Sequence, residues 1–375
     1  MESNFSVNRV PALDGVRGLA ILIVIIAHLG LLQGGNFGVD LFFVLSGFLI
    51  TSILLQEQRR NGVISISKFY LRRALRLLPA LFVFVLSVLL YTFICQPFPK
   101  FLLAVSDAWR IALYCFNWQI TLEYGHHIMG YVHHEMFPHL WSLSVEEQFY
   151  LIWPCLLLLL LKKSRSFVLY FLLAGMAAEG IARFISSDGG PSYWIYFSTL
   201  MHSDGLMYGA LVAWILHWGY MPKGLSRTTL SWVGAISLVV LLLVSIPNPL
   251  NTGAAYRGLF SFVNLLCALL IASAIWCPQS PLRWFLESKP MTWIGKVSYG
   301  LYIWHYPVHV FIGGLAFFNK FWEPVIIIGL TLIITSISYY KLELPFLKLK
   351  DRIGHAKKPQ PSIDSTEMEP VNISV

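Results

Sequence analysis

Ten long apolar runs constrain the fold of this chain more than any other feature of its sequence. A helix needs about 20 apolar residues to cross the hydrocarbon core of a bilayer. Only 12% of the 375 residues are charged, against roughly 25% in typical soluble domains. We therefore predict an all-α polytopic membrane protein with about ten transmembrane helices. The predicted spans are 18–32, 38–56, 78–95, 148–161, 167–185, 198–218, 230–247, 257–276, 297–318 and 324–342.

The basic residues predict how these helices are oriented. When the ten spans alternate in direction, 22 of the 27 lysines and arginines fall on one side of the membrane. The positive-inside rule places that side in the cytoplasm, so we predict cytoplasmic termini and a location in the inner cell membrane. The net charge of +8 then reflects topology and contact with membrane lipids, and no nucleic-acid partner is expected.

The chain is predicted to contain one transmembrane domain and a short tail. The domain covers 1–347, and the basic, polar cytoplasmic tail covers 348–375, with disorder from about residue 356. Residues 101–117 are apolar but contain Asp107 and Arg110, so we predict an interfacial or re-entrant helix on the outer side. The five cysteines have no short paired spacing, which indicates neither a disulfide framework nor a zinc site.

The first span contains ionisable residues, which are costly inside a bilayer and mark functional sites. His28 follows Arg17 by eleven residues, which puts both on one helix face about 16 Å apart along the axis. Asp14 lies on the same face, within reach of Arg17. A histidine at this depth can act as a general base, because its unperturbed pKa of about 6.5 is close to neutral. The competing interpretation is a buried histidine that bonds to a neighbouring helix.

A basic helix face follows in the second cytoplasmic connection. Lys68, Arg72 and Arg76 are spaced by four residues, and Arg73 lies beside them. Guanidinium groups on such a face can bind phosphates through paired hydrogen bonds. The same pattern is typical of an anchor to anionic lipid, and the spacing alone does not separate the two functions.

Other titratable residues carry weaker signals. The stretch before the fourth span contains His126, His127, His133, His134, Glu135 and His139. Its spacing matches no particular metal site and Gly130 interrupts any helix, so we expect a solvated loop and no bound metal. His305 is expected to pack near an aromatic belt. Glu179 and Arg183, four residues apart, are expected to neutralise each other.

Six stretches between residue 10 and about residue 347 together resemble the acyltransferase 3 family of membrane proteins. They are ALDGVRG at 12–18 with His28, GVDLFFVLSGF at 38–48, RRALRLLP at 72–79, HLWSLSVEEQFY at 139–150, SYGLYIWH at 298–305 and ELPF at 343–346. Each stretch is a weak signal alone, but six in the order of the family are a strong one.

The resemblance implies transfer of an acyl group, usually acetyl, from cytoplasmic acyl-CoA to a hydroxyl group. The acceptor would be a surface or lipid-linked glycan, such as an O-antigen in lipopolysaccharide or another exopolysaccharide. Acyl-CoA is then the donor substrate, and no bound cofactor is expected.

The resemblance also assigns roles to residues. The family's motif of a basic residue, ten spacers and a histidine falls on Arg17 and His28, so His28 is the expected base. The Arg-x-x-Arg motif falls on Arg73 and Arg76, with Arg72 alongside, which suits the phosphates of CoA. Further candidate site residues are Asp40, Ser46, Trp141, Ser144, Glu146, Glu147, His202, Asp204, His305 and Glu343.

Two features depart from the family's pattern. Family members often have an arginine two positions before the aspartate that corresponds to Asp204, and here His202 stands in that place. Either acceptor binding differs there, or a protonated His202 supplies the contact. Many relatives also carry a C-terminal extracytoplasmic SGNH domain, and the sequence to Val375 contains none. We therefore expect a stand-alone enzyme that finishes the transfer itself or passes the acyl group to a separate extracytoplasmic transferase.

The sequence leaves parts of the mechanism and two other functions open. Acyl-CoA is expected to dock on Arg17, Arg73 and Arg76, and His28 to deprotonate the attacking hydroxyl; whether His28 or Ser46 carries the acyl group transiently is undecided. The alternatives are acylation of a small secreted molecule such as a macrolide, and transport without chemistry, for which intramembrane ionisable residues are equally typical. The arginine face favours an acyltransferase, since a transporter has no need to bind phosphates on one side.

Overall fold

The computed structural model describes residues 10–125, 136–219, 226–251, 253–315 and 322–354, and all regular elements in these ranges are helices. They are α1 Pro11–His28, α2 Phe37–Asn61, α3 Ile66–Cys95, α4 Phe98–Ala112, α5 Phe116–Gly125, α6 Trp141–Leu160, α7 Arg165–Ser186, α8 Tyr193–Phe197, α9 Thr199–His202, α10 Asp204–Trp218, α11 Arg227–Val244, α12 Phe260–Trp276, α13 Pro281–Leu286, α14 Lys289–Lys296, α15 Ser298–Gly313, α16 Glu323–Ile337 and α17 Leu344–Gly354. A 3₁₀ turn, Pro138–Leu140, precedes α6, and π-helical turns, Ala255–Leu259 and Ser338–Glu343, precede α12 and α17.

Eight helical segments in the described ranges are long and apolar enough to cross a membrane. They are α1, α2, α3, α7, α11 and the segments Pro138–Leu160, Ala255–Trp276 and Glu323–Leu349. These segments confirm a polytopic, all-α membrane protein. The remaining two predicted spans, 198–218 and 297–318, correspond to α10 and α15, which have only 15 and 16 residues. The predicted count of ten is thus two more than the described full-length spans.

The predicted span 198–218 is shorter because the helix is broken at Ser203. The carboxylate of Glu179 in α7 accepts hydrogen bonds from the backbone N–H groups of Ser203 (2.5 Å) and Asp204 (3.0 Å). These N–H groups have no partner within α10, because they belong to its first turn. A broken helix is tolerated inside a membrane where other parts of the protein satisfy its backbone.

Helices α4 and α5 form a short hairpin whose turn is bound to α6. Gln148 Nε2 donates a hydrogen bond to the carbonyl oxygen of Tyr114 (2.6 Å). Tyr114 also lines a small side pocket with Leu77, which lies 18 residues before the end of α3, or about 27 Å along the helix axis. The hairpin therefore reaches deep beside α3 and turns back. This geometry favours the re-entrant alternative for residues 101–117.

Helix α2 is the largely buried centre of the bundle and packs against α1, α6, α10 and α12. Its contact with α10 is close at two glycines. A Cβ atom on Gly47 would overlap the backbone of Leu206, and a Cβ atom on Gly209 would overlap the backbone of Val44. Small residues at such contacts let membrane helices approach closely. In contrast, few residues of α11 and α16 are buried, which suits contact with lipid.

The C-terminal helix α17 packs against α3. It extends to Gly354, so residues 348–354 of the predicted tail are helical. Residues from 355 onward, for which disorder is predicted, lie outside the described residues.

Candidate active site

A cavity of about 950 Å³ lies between α1, α2, α3, α6, α14 and α15. The cationic side chains that line it are Arg17, Arg60, Arg73, Arg76 and Lys296. Arg60 lies in the last turn of α2, whereas Arg17 and the Arg73–Arg76 pair lie in the first halves of α1 and α3. We call the end of the bundle that carries these cations the basic end.

The cavity wall also carries hydroxyl and carboxylate groups, from Ser46, Ser142, Glu146 and Tyr302, and we call the part around Ser46 the inner end. Ser46 and Arg60 are on the same helix, 14 residues apart, which corresponds to about 21 Å along the axis. The cavity thus extends from Arg60 to Ser46 over about two thirds of a bilayer core, which is about 30 Å thick, and Arg73 lies close to the inner end through the ring of Tyr150.

Arg73 is fixed by two neighbouring side chains of α6. Its Nε lies 2.8 and 2.9 Å from the two carboxylate oxygens of Glu147, and its Nη2 also bonds to that carboxylate. The guanidinium lies 3.3 Å from the ring centre of Tyr150. Charge-assisted, two-pronged bonds of this kind hold a side chain in one orientation. The charge of Arg73 is therefore already shared with Glu147.

Arg76 is the cation best placed to receive an anion. It lines the cavity, and no carboxylate in the described part of the chain forms an ion pair with it. The charges of Arg17 and Arg73 act on it, although Arg17 itself pairs with Asp14 at 3.2 Å, as the sequence predicts. Like charges at close range repel, so a phosphate group between these guanidiniums would be bound favourably.

The inner end contains a hydrogen-bonded pair of side chains from α2 and α6. The hydroxyl of Ser46 donates to Oε1 of Glu146, and the hydroxyl of Tyr150 donates to the same oxygen (2.5 Å). All three side chains line the cavity. A hydroxyl that donates to a carboxylate is an arrangement in which the carboxylate can accept its proton.

His28 belongs to a cluster of three histidines. The ring centres of His28 and His305 are 5.0 Å apart, and those of His139 and His305 are 5.4 Å apart. Tyr306 lies against both His28 (5.2 Å) and His139 (5.1 Å). The end of α1, the start of the α6 segment and the middle of α15 thus bring together histidines that are distant in sequence.

The hydrogen bonds around His28 show which of its two ring nitrogens carries the proton. Its Nδ1 lies 2.9 Å from the carbonyl oxygen of Val24 and therefore carries the proton. Nε2 of His305, 3.4 Å from the same nitrogen, faces it as an acceptor, because Nδ1 of His305 donates to the carbonyl oxygen of Tyr302 (2.7 Å). A neutral imidazole with its proton on Nδ1 keeps a lone pair on Nε2. His28 thus has the tautomer that a general base requires.

Tyr302 and Ser142 separate the histidine cluster from the cavity. The hydroxyl of Tyr302 donates to the carbonyl oxygen of His139 (2.5 Å) and bonds to the hydroxyl of Ser142. Both of these side chains line the cavity, whereas His28 does not. The expected base therefore lies beside the cavity, behind the Ser142–Tyr302 pair.

Apart from the histidine cluster, a pair of polar side chains, His202 and Asp40, is buried between α2, α10 and α12. His202 Nδ1 donates to the carbonyl oxygen of Tyr196 (2.7 Å), and its Nε2 lies 3.0 Å from Oδ1 of Asp40. Since Nδ1 is already protonated, this second bond requires a proton on Nε2 or on Asp40. The ring of Trp141 stacks on His202 with centres 5.5 Å apart. His202 therefore bonds to Asp40 in the protein interior and does not line the cavity.

Arg183 neutralises the carboxylates next to this pair. Its guanidinium bonds to both oxygens of Asp204 (2.8 and 2.5 Å), and lies 3.7 Å from Glu179. Asn264 and Ser261 of α12 also donate to Asp204 (3.1 and 3.3 Å). The predicted pairing of Glu179 with Arg183 is present, but the closer partner of Arg183 is Asp204.

The remaining predicted residues lie apart from the cavity. Arg72 pairs with Glu57 at 3.1 Å, Ser144 is buried within α6, and Glu343 accepts a hydrogen bond from Ser338 (3.2 Å). None of the three lines the cavity. In the part of the chain that is described, no three His, Cys, Asp or Glu side chains are placed to hold a metal ion.

The prediction that His139 belongs to a solvated loop is wrong. Its side chain is buried, because the 3₁₀ turn before α6 inserts it between Phe84 of α3 and Tyr306 of α15. Its position as the first residue of the 139–150 stretch was the one available signal. The other histidines of that stretch, His126, His127, His133 and His134, and Glu135 lie outside the described residues.

Sequence reasoning also missed part of the cavity wall, namely Arg60, Lys296, Ser142, Tyr150 and Tyr302. Basic residues at helix ends and tyrosines in membrane spans are common. Their positions in the sequence therefore did not distinguish them, and only the packing of α2, α6, α14 and α15 brings them together.

The chain was compared with known families and proteins. The model of the acyltransferase 3 family, described as an acyltransferase domain, matches residues 10–342. The peptidoglycan O-acetyltransferase OatA of Listeria monocytogenes is 32% identical over 360 residues, which are 92% of this chain and 57% of that protein. The O-acetyltransferase OatA of Staphylococcus aureus is 33% identical over 359 residues, which are 93% of this chain and 59% of that protein.

This chain thus spans less than three fifths of the length of these two relatives. No solved structure matches it. The family match includes every residue of the cavity, the histidine cluster and the buried polar group described above. Since it extends from the start of α1 to the turn before α17, the chain belongs to the acyltransferase 3 family.

Proposed function

We propose that the protein transfers an acetyl group from cytoplasmic acetyl-CoA to a hydroxyl group of a cell-wall glycan. The observation that carries this proposal is the cavity of about 950 Å³, which is lined both by cations and by hydroxyl and carboxylate groups. The positive-inside rule puts the basic end in the cytoplasm, where acyl-CoA is made. In this orientation, acyl-CoA enters the cavity from the cytoplasm.

The charges and length of the cavity suit acyl-CoA. CoA carries phosphates at one end of a long, flexible arm and the thioester at the other. With phosphates bound to Arg60, Arg17 and Lys296, which line the cavity, the arm runs toward Ser46, which lies 14 residues from Arg60 on α2, or about 21 Å along the helix axis. An arginine can bind a phosphate through two parallel hydrogen bonds, whereas a lysine binds it as a point charge.

His28 is the general base of the proposed transfer. The lone pair on its Nε2 is available because Nδ1 donates to Val24. Movement of the Ser142–Tyr302 pair would join the cavity to the histidine cluster, so that an acceptor hydroxyl bonded to His28 can attack the acyl group. A positioned general base typically speeds such a step about 10²–10⁴-fold.

The proposed acceptor is a peptidoglycan-type glycan on the far side of the membrane. Support comes from a relative whose name states that it acetylates peptidoglycan and that matches 92% of this chain. The first acceptor is either the glycan itself or a separate extracytoplasmic transferase that passes the acetyl group on.

The proposal is tested in vesicles that contain the purified protein in known orientation. Radiolabelled acetyl-CoA is supplied to one face at a time, with a glycan fragment on the other. We expect free CoA on the face that exposes the basic end, and label on the glycan. The matched control is the His28→Ala protein, which should insert normally and release little CoA. Passage of intact acetyl-CoA without cleavage of its thioester would contradict the proposal and identify a transporter.

A further inference from the structure

Ser46 and Glu146 form a pair of the kind that activates a nucleophile. The hydroxyl of Ser46 donates to Oε1 of Glu146, across the contact between α2 and α6. Both side chains line the cavity that Arg76 also lines. A serine becomes nucleophilic when a neighbouring base accepts its proton, and a carboxylate can serve as that base.

A purely structural role is the simplest alternative, since hydrogen bonds between polar side chains commonly join membrane helices. Two observations argue against a role limited to packing. The pair lies on a cavity wall and is not sealed between the helices. Glu146 also accepts a hydrogen bond from Tyr150, whose ring packs on Arg73, so the carboxylate is oriented by a second donor.

The position of His28 adds an independent reason for a carrier. His28 does not line the cavity, whereas Tyr302, whose hydroxyl bonds to the backbone of His139 in the histidine cluster, does. A thioester that enters from the basic end therefore meets Ser46 before it meets His28. A residue that takes the acyl group inside the cavity would allow CoA to leave before the acceptor arrives.

We infer that Ser46 is an acyl carrier, which forms an ester with the acyl group of acyl-CoA while Glu146 takes its proton. The inference rests on the proposed function, and it adds a catalytic residue and a covalent intermediate to it. Acyl transfer then occurs in two steps at Ser46, and His28 takes part in the second step, after movement of the Ser142–Tyr302 pair has joined the cavity to the histidine cluster.

In the first step, Oγ of Ser46 attacks the thioester carbonyl carbon and its proton moves to Glu146. The carbon–sulfur bond breaks, and CoA leaves as the thiolate. In the second step, an acceptor hydroxyl attacks the ester carbonyl and its proton moves to His28. The bond between the acyl carbon and Oγ breaks, and Ser46 recovers its proton from Glu146. The products are the acylated acceptor, the CoA thiolate and one proton on His28, so atoms and charge balance.

The intermediate is tested by incubating the purified full chain with radiolabelled acetyl-CoA and no acceptor. After a denaturing acid quench, we expect label to stay on the wild-type chain and to map to the peptide that contains Ser46. Ser46→Ala should lower the label to background. Ser46→Cys should retain it as a thioester, which neutral hydroxylamine releases faster than an oxygen ester. Glu146→Gln keeps an oxygen that can accept the two hydrogen bonds, but it should slow labelling about 10²–10⁴-fold, the usual contribution of a general base.

The matched control is Ser52→Ala, since Ser52 is a buried serine of the same helix that does not line the cavity. This protein should be labelled as the wild type is. Normal labelling of Ser46→Ala, or label that maps to His28, would overturn the inference. Release of CoA that requires the acceptor, with no labelled chain at any time, would overturn it while leaving the proposed function intact. Absence of any CoA release from a folded protein would overturn both.

Discussion

Arg72 and Arg76 lie four residues apart on α3, but their surroundings differ. Arg76 lines the cavity without a carboxylate partner among the described residues, whereas Arg72 pairs with Glu57 outside the cavity. We expect Arg76→Ala to weaken CoA binding about 10- to 100-fold, because a hydrogen bond to a charged group contributes about 1.5–3 kcal/mol. Arg72→Ala should change it less than about two-fold. Titration calorimetry with CoA in detergent measures both, and equal small effects would indicate an anchor to anionic lipid instead.

His28 is the residue on which the chemistry depends. Its replacement by alanine should lower acetyl transfer about 10²–10⁴-fold, because the lone pair on Nε2 of His28 is the proposed acceptor of the hydroxyl proton. His217→Ala is the matched control, since His217 packs on Trp218 near the end of α10. Transfer is measured as acetylated product, with the amount of membrane-inserted protein determined in parallel. Full activity of His28→Ala would remove this residue from the mechanism.

The residues of the site were predictable only in part. The eleven-residue spacing of Arg17 and His28 fixes their relative position on α1, and the ion pair of Arg17 with Asp14 follows from a three-residue spacing. The sequence does not show which neighbouring helices pack against α1 between Arg17 and His28. Tyr302 of α15 places His28 outside the cavity, and this outcome depends on packing between distant parts of the chain.

At the scale of helices, close packing of α2 on α10 positions Ser46 beside the cavity. Gly47→Ala should destabilise the protein by about 1–3 kcal/mol, because its added Cβ would overlap the backbone of Leu206. Gly329→Ala is the matched control, since a Cβ atom there meets open space in α16 and alanine favours a helix by about 0.5–1 kcal/mol. Unfolding in detergent is monitored for both proteins. Equal stability of the two variants would show that the helix contact is looser than described.

The buried carboxylates between α7 and α10 depend on one guanidinium. Arg183→Met would leave Asp204 and Glu179 without their cation, and we expect a loss of about 3–5 kcal/mol of stability, as for other broken buried pairs. The pair of Arg283 and Glu287 is partly exposed, so Arg283→Met should cost about 0–1 kcal/mol. The same unfolding measurement compares the two. A small effect at Arg183 would indicate that water or protons compensate the buried charge.

Apolar length alone predicted where helices occur, but not where they break. The predicted span 198–218 is interrupted because Glu179, on another helix, binds the first N–H groups of α10. The re-entrant turn between α4 and α5 likewise depends on Gln148 of α6. Both features arise from side chains far away in the sequence, whereas the long apolar runs signal helices locally. This difference explains why the break in the predicted span 198–218 was missed, although eight of the ten predicted spans correspond to full-length helices.

At the scale of the whole molecule, the function depends on orientation in the membrane. The proposed donor enters only if the basic end faces the cytoplasm. Lys68 lies at the start of α3 and Lys100 just beyond its end, in α4, and both side chains are exposed. Labelling at these two positions therefore shows on which side of the membrane each end of the 30-residue helix α3 lies.

Single cysteines at these positions test the orientation, after the five native cysteines are replaced by serine or alanine. A membrane-impermeant thiol reagent added to intact cells should label Lys100→Cys and not Lys68→Cys, because the latter lies at the cytoplasmic surface. After the cells are opened, both should be labelled, which controls for the reactivity of each thiol. The reverse pattern would put the cavity's cations outside the cell, where the phosphates of CoA cannot reach them, and the two-step transfer through Ser46 and His28 would lose its donor.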